Sequence, residues 1–106
     1  GPAAVRVASR LGRTMPAHCT STGKALLAQL SESELRQLLP HEELDAITAR
    51  SIVSRARLES ELARIRDRGY ATNREESEEG VSSVAVSIPT HAPGFRLALN
   101  AAAPQN

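Results

Sequence analysis

The segment HCTSTGKALLA, residues 18–28, places a glycine and a lysine before an apolar run, as a phosphate-binding loop does. That loop also requires an earlier glycine, at the position that His18 occupies here, and a serine or threonine after the lysine. Ala25 follows Lys24, so there is no hydroxyl for a magnesium ion. Both requirements fail, and the segment is not predicted to bind a nucleotide.

The same segment can still attract an anion. Ser21, Thr22 and Gly23 stand at the predicted start of a helix, where backbone amides and the positive end of the helix dipole favour negative charge. The alternative is that Thr20 or Ser21 only caps the helix. Gly23 is expected to let the chain turn tightly into the helix, and Lys24 is expected to face solvent at a positively charged rim.

A catalytic or metal site is not predicted. His18 and Cys19 are adjacent, so in an extended segment they point in opposite directions, and no acid is placed to orient the histidine. His18, His41 and His91 lie far apart without the spacing of metal ligands. A small transferase using His18, Cys19 and Lys24 remains an alternative function.

The composition limits the remaining classes of protein. A chain of 106 residues is enough for one domain, and its net charge of +1 predicts no nucleic-acid surface. Neither a secretory signal nor an apolar run of about 18 residues is present, so no membrane partner is expected. The single cysteine is typical of a reducing cytoplasm. We interpret Gly1 and Pro2 as the remnant of a cleaved tag, preceding a domain over residues 3–106.

Hydrophobic periodicity and capping signals predict the elements that position these residues. Strands are predicted over residues 3–11, 70–73, 81–89 and 94–103, and helices over 20–30, 31–39 and 55–68. Pro40 ends the second helix, which begins with a capping box of Ser31 and Glu34. Residues 41–53 are interpreted as a helical turn and a short strand, and the acidic run 74–80 as a solvated loop. Arg55–Glu59 and Arg57–Glu61 are expected as ion pairs on the third helix.

The last two predicted strands each have a large and a small face. The large side chains are Val84, Val86 and Ile88, then Phe95, Leu97 and Leu99; the small or polar ones are Val81, Ser83, Ala85 and Ser87, then Arg96, Ala98, Asn100 and Ala102. The large face is expected to pack against helices. The small face is expected either to meet solvent or to leave room for a ligand.

Three blocks in this order carry a family resemblance: MPAHCTSTGKALLAQLSESEL, then T and SI in residues 48–52, then LESELARIRDRGYATNREESEEGVSSVAVSIP. They resemble the C-terminal effector-binding domain of IclR-type bacterial transcriptional regulators over residues 15–103. The resemblance implies an α+β fold with a GAF/profilin-like, curved antiparallel β-sheet, helices on one face and a pocket on the other. It also implies an N-terminal winged helix-turn-helix that binds DNA, which this sequence lacks, and a domain trimmed at both ends.

The resemblance also implies the ligand contacts. The amides that hold a carboxylate correspond to Ser21 and Thr22, next to Gly23. Asn73 stands where relatives often have an acidic residue, which weakens any role that needs a charge. The remaining pocket positions are Val81, Ser83, Asn100, Ala102 and Val7.

The sequence therefore predicts a non-catalytic sensing domain without a cofactor. Its expected partners are a small carboxylate-bearing effector, further copies of itself in a dimer or tetramer, and DNA only through the absent N-terminal domain. The main alternative is a module that dimerises through the sheet edge and binds no ligand.

Overall fold

The structure is a computed structural model that describes residues 6–8, 14–88 and 97–104. Its elements are β1 (Arg6–Ala8), β2 (Thr14–Pro16), α1 (Ser21–Leu27), α2 (Glu32–Leu38), α3 (Arg55–Arg68), β3 (Ala71–Arg74), β4 (Val81–Ile88) and β5 (Leu97–Pro104). One 3-10 turn over Ala17–Cys19 links β2 to α1. Strands β3, β4 and β5 form an antiparallel sheet in that order, and β1 pairs with β2. The predicted α+β class is confirmed.

The helix boundaries follow from the capping residues. The Ser31 hydroxyl accepts a hydrogen bond from the Glu34 amide, and the Glu34 carboxylate accepts one from the Ser31 amide, which completes the predicted capping box. Ser54 caps α3, and Gly69 ends it in the left-handed conformation with φ of 91°. These capping residues determine where the helices begin and end, because each satisfies backbone groups that a helix end leaves unpaired.

The core lies between the sheet and α3, and α1 runs through it. Its buried aliphatic side chains come from all layers: Ala25 and Leu27 of α1, Leu58, Leu62 and Ile65 of α3, Ala71 of β3 and Ala85 of β4. Leu35 of α2 is also buried. Helix α1 lies between α3 and the sheet. The sheet face that α1 contacts is therefore the buried one.

The expected assignment of the two sheet faces is wrong. Ala85 is 1% exposed and Ser83 is 9% exposed, whereas Val84 and Val86 are 47% and 43% exposed. The Ser87 hydroxyl donates to the carbonyl oxygen of Ala25, which places α1 over the small face. Strand alternation predicts two distinct faces but not which one a helix covers. A helix that presents small residues can approach a small face closely and exclude water from both.

Four further expectations are corrected. Residues 14–16, for which no strand was predicted, form β2. Residues 41–53 contribute one bridge, Glu43 to Ser54, rather than a helical turn and a strand. Arg55 pairs with Glu59 as expected, but Glu61 pairs with Lys24, Arg64 and Arg68 instead of Arg57. The first helix is shorter than predicted and ends at Leu27. Phe95 and Arg96, and the interpretation of Gly1 and Pro2, lie outside the described residues.

None of the helices within the described ranges is both long enough and apolar enough to cross a membrane.

Candidate functional site

The start of α1 is capped from within the chain. The Thr20 hydroxyl accepts a hydrogen bond from the Gly23 amide at 2.8 Å and donates one to the Ala17 carbonyl oxygen at 3.2 Å. The Gly23 amide is therefore already committed to a protein partner. Of the three amides proposed for an anion, those of Ser21 and Thr22 remain the candidates.

A pair of buried hydroxyls joins α1 to the sheet. The Ser21 and Ser83 Oγ atoms are 2.6 Å apart, and Ser21 is 1% exposed. Each hydroxyl has one proton to donate, and their mutual hydrogen bond uses one of the two. The second proton is left for another acceptor next to the pair.

This hydroxyl pair lies at a cavity of about 230 Å³ between the start of α1, the sheet and the β3–β4 loop. Six residues expected at the site line it: Ser21, Asn73, Val81, Ser83, Asn100 and Ala102. The register explains their proximity, because Ser83 is paired with Asn73 on one side and with Ala102 on the other. The cavity is on the same side of the sheet as α1, not on the opposite side as expected.

Three expected site residues are not among those that line the cavity. Thr22 is half-buried beside it, and Gly23 is buried against Ala17. Val7 lies in β1, paired with Met15, and its side chain is outside the part of the chain that the structure describes.

The cavity also has four lining residues that sequence reasoning missed: Met15, Thr20, Ser77 and Glu78. Met15 belongs to β2, which the pattern did not predict. Thr20 was considered only as a cap. Ser77 and Glu78 fall in the acidic loop, and the alternation that identified the strands gives no signal there.

Asn73 has a structural role. Its side-chain oxygen accepts a hydrogen bond from the Glu76 amide at 2.8 Å, and its side-chain nitrogen donates to the Ser77 hydroxyl at 2.8 Å. The side chain is thus engaged in shaping the loop. Ser77 in turn keeps its own hydroxyl proton available to a ligand.

The charges near the cavity differ from the expectation. Lys24 does not face solvent: its side chain is fully buried and donates to Glu76 at 2.8 Å and Glu61 at 3.5 Å. The acidic loop is not uniformly solvated either, since Glu76 is 8% exposed. Among the described residues that line the cavity, Glu78 carries the only charged side chain. A bound anion would therefore be held by neutral donors.

His18 and Cys19 are both buried. The His18 Nε2 donates to the Asp45 carbonyl oxygen at 2.6 Å, and the Cys19 thiol donates to the Ser51 hydroxyl at 3.6 Å. Burial raises the pKa of the Cys19 thiol above its ordinary value, which keeps it protonated and unreactive. No group of three metal-ligating side chains occurs within residues 6–8, 14–88 and 97–104.

Comparison with known proteins identifies the family of this chain. The model of the family described as "Bacterial transcriptional regulator IclR C-terminal" matches residues 1–106. The chain belongs to the IclR family. It is 45% identical over 83 residues to the HTH-type transcriptional regulator XynR of Escherichia coli K12. The matched segment covers 78% of this chain and 33% of XynR.

Solved structures of IclR-family relatives share the fold. The Agobacterium tumefaciens repressor BlcR superposes with a TM-score of 0.81 at 31% identity, covering 92% of this chain and 40% of BlcR. A double mutant of the inducer-binding domain of the Acinetobacter transcription factor PobR, in complex with 3-hydroxybenzoic acid, gives a TM-score of 0.77 at 32% identity, covering 88% of this chain and 53% of that one. The chain spans about a third of the length of the curated relatives.

The IclR family consists of transcriptional regulators and not of enzymes. This excludes the transferase alternative, in agreement with the burial of Cys19 and the pairing of Lys24 with two carboxylates.

Proposed function

We propose that this IclR C-terminal domain senses a small organic acid in the cavity between α1 and the sheet. The observation that carries the proposal is the buried Ser21–Ser83 hydroxyl pair, which lies at the cavity and has a proton left to donate. A carboxylate oxygen is a suitable acceptor for that proton and for the Ser21 and Thr22 amides.

The neutral part of the lining suits a ligand with a carboxylate and an apolar body, which would bind away from the acidic side chain of Glu78. Ser77 and Asn100 supply further neutral polar groups, while Met15, Val81 and Ala102 supply apolar surface. The double mutant of the PobR inducer-binding domain, which has the same fold, is in complex with 3-hydroxybenzoic acid. The cavity of about 230 Å³ is below the usual range for drug-sized ligands, about 300–1,000 Å³, which favours a small acid.

The proposed regulatory action requires a longer protein. Binding of the acid would shift the domain between conformations, and a DNA-binding domain on the same chain would read that shift. We place this action in the cytoplasm and expect the protein to work as a dimer or tetramer, as its family resemblance implies.

The proposal is tested by titrating the labelled domain with acetate, pyruvate and benzoate while recording backbone amide chemical shifts. At least one acid is expected to shift the amides of Ser21, Thr22 and Ser83. The absence of any shift at high concentration of all three acids would contradict the proposal.

A matched pair of variants locates the site. Ala102 and Ala103 are adjacent exposed residues of β5, but only Ala102 lines the cavity beside Ser83. Ala102→Phe should fill the cavity and weaken binding at least about tenfold, which corresponds to about 1.4 kcal/mol. Ala103→Phe, on the outer face, should bind as the unaltered domain does. Equal weakening in both variants would place the ligand elsewhere.

A further inference from the structure

Glu76 uses all of its polar groups within the protein. Its carboxylate accepts hydrogen bonds from the Lys24 ammonium at 2.8 Å and from the Arg74 amide at 2.9 Å. Its own amide donates to Asn73 at 2.8 Å, and its carbonyl oxygen accepts from the Ser51 hydroxyl at 2.6 Å. The β3–β4 loop is therefore fixed at this one residue from four directions.

The position of Glu76 in the sequence connects this anchor to the cavity. Ser77 and Glu78, the next two residues, line the cavity wall on the loop side. Ser21 and Lys24 both belong to α1, and Ser21 lines the part of the cavity that this helix forms. The Lys24–Glu76 ion pair consequently ties the two walls of the cavity to each other.

The pair is built into the interior. The Lys24 side chain is fully buried and that of Glu76 is 10% exposed. Lys24 also contacts Glu61 of α3 at 3.5 Å, and Glu61 pairs with Arg64 and Arg68 towards the surface. Buried ion pairs add little net stability compared with well-packed apolar residues of the same volume. What this ion pair provides beyond an apolar contact is the fixed direction of its hydrogen bonds, which sets the position of the loop relative to α1.

We propose that Lys24 and Glu76 are positioning residues that hold the β3–β4 loop against α1, so that Ser77 and Glu78 form the cavity wall before a ligand arrives. Neither residue lines the cavity itself. The part of this proposal that concerns affinity rests on the proposed function. The part that concerns the loop does not require any ligand. A preformed wall raises affinity because the ligand does not have to order the loop.

The test uses the double variant Lys24→Met/Glu76→Gln, which removes both charges while keeping similar volumes and leaves neither residue as an unpaired buried charge. Amide hydrogen exchange is expected to become at least about tenfold faster at Glu76 and Gly80, whose amides are hydrogen-bonded within the loop, and to stay unchanged at Leu58 and Leu62 of α3. Arg50→Gln is the matched control, because it removes an exposed ion pair to Glu75 in the same loop at 3.5 Å.

Benzoate titration gives the second readout. The apparent benzoate affinity should fall in proportion to the fraction of the variant whose loop is closed, so binding weakens clearly only if the open form becomes the major one in the variant. Should the double variant fail to fold, Glu76→Gln alone, which keeps the shape and removes the charge, is judged by the same two criteria.

The outcomes separate the two proposals. Unchanged loop exchange, or exchange that rises equally in α3, would overturn the positioning role and leave the sensing function intact. Faster loop exchange in a domain whose unaltered form binds none of the three acids would support the positioning role and contradict the sensing function.

Discussion

Gly23 lies where α1 passes over the turn that precedes it. A Cβ atom at this position would be 2.1 Å from the Ala17 carbonyl oxygen and 2.6 Å from its carbonyl carbon. These neighbours are backbone atoms, so they cannot move aside as a flexible side chain would. The expected role of Gly23 was a tight turn, but the structure requires glycine for space: the glycines with positive φ among the described residues are Gly69 and Gly80.

Gly23→Ala should therefore destabilise the domain by about 3 kcal/mol or more, the upper part of the range for overpacking. Urea unfolding followed by circular dichroism measures this change. Gly69→Ala is the control: its Cβ would meet nothing within 4 Å, and only the left-handed backbone conformation opposes it. That variant should cost about 1 kcal/mol. Equal costs would show that the close approach to Ala17 relaxes readily.

Cys19 should resist modification in the folded domain. It is fully buried, and desolvation raises the pKa of its thiol, with the Glu76 carboxylate acting in the same direction. A thiol-reactive disulfide reagent at pH 8 should react with it only after denaturation in urea. Because the folded state favours the protonated thiol, stability should decline as the pH rises above the ordinary thiol pKa, and Cys19→Ala should remove that decline. Rapid labelling of the native domain would contradict this prediction.

At the scale of elements, close packing between α1 and β4 organises the domain. Ser21 and Ala25 of α1 meet Ser83 and Ser87 of β4 through two hydrogen bonds, at 2.6 Å and 3.2 Å. Small side chains on both elements allow this approach. The same elements leave the cavity open at the helix start, where the chain enters from Thr20. The contacts between α1 and β4 that form part of the core therefore extend to the wall of the cavity.

Substitutions on the two faces of β4 should have unequal effects on stability. Ser83→Leu adds volume beneath α1 and removes a buried hydrogen bond, so it should destabilise by about 2–4 kcal/mol. Val86→Asp, at a residue that is 43% exposed, should cost less than about 1 kcal/mol. Thermal unfolding of the 106-residue domain measures both. A larger loss for Val86→Asp would restore the expectation that the large face is the packed one.

At the scale of the whole molecule, local signals were predictable from the sequence and long-range contacts were not. The capping box of Ser31 and Glu34 depends on residues three positions apart, and this prediction is confirmed. The burial of Lys24 depends on Glu61 and Glu76, which lie far along the chain. A pattern of charges in a loop does not show which of them turns inward. The candidate site residues on β3, β4 and β5 were predicted from the family resemblance, and strand alternation independently grouped Ser83, Asn100 and Ala102 on one face. The register that brings them together was not predictable from the sequence.

The exposed outer face of the sheet should make this domain associate with itself. Val84, Val86 and Leu99 are 47%, 43% and 64% exposed, and Val86 is paired with Leu99 across the sheet. Apolar residues grouped on one sheet face favour contact with a second such face. Sedimentation velocity should therefore show a larger average mass as the protein concentration rises.

Charged substitutions on that face test the cause of association. Val86→Lys/Leu99→Glu, which places opposite charges on these cross-strand partners, should shift the domain to monomer with little loss of thermal stability, because neither side chain is buried. Ala63→Lys, at an exposed position of α3, is the control and should leave association unchanged. A domain that sediments as a monomer at every concentration would contradict the prediction. Association that persists in a domain binding none of the three acids would instead favour the alternative of a dimerisation module without a ligand.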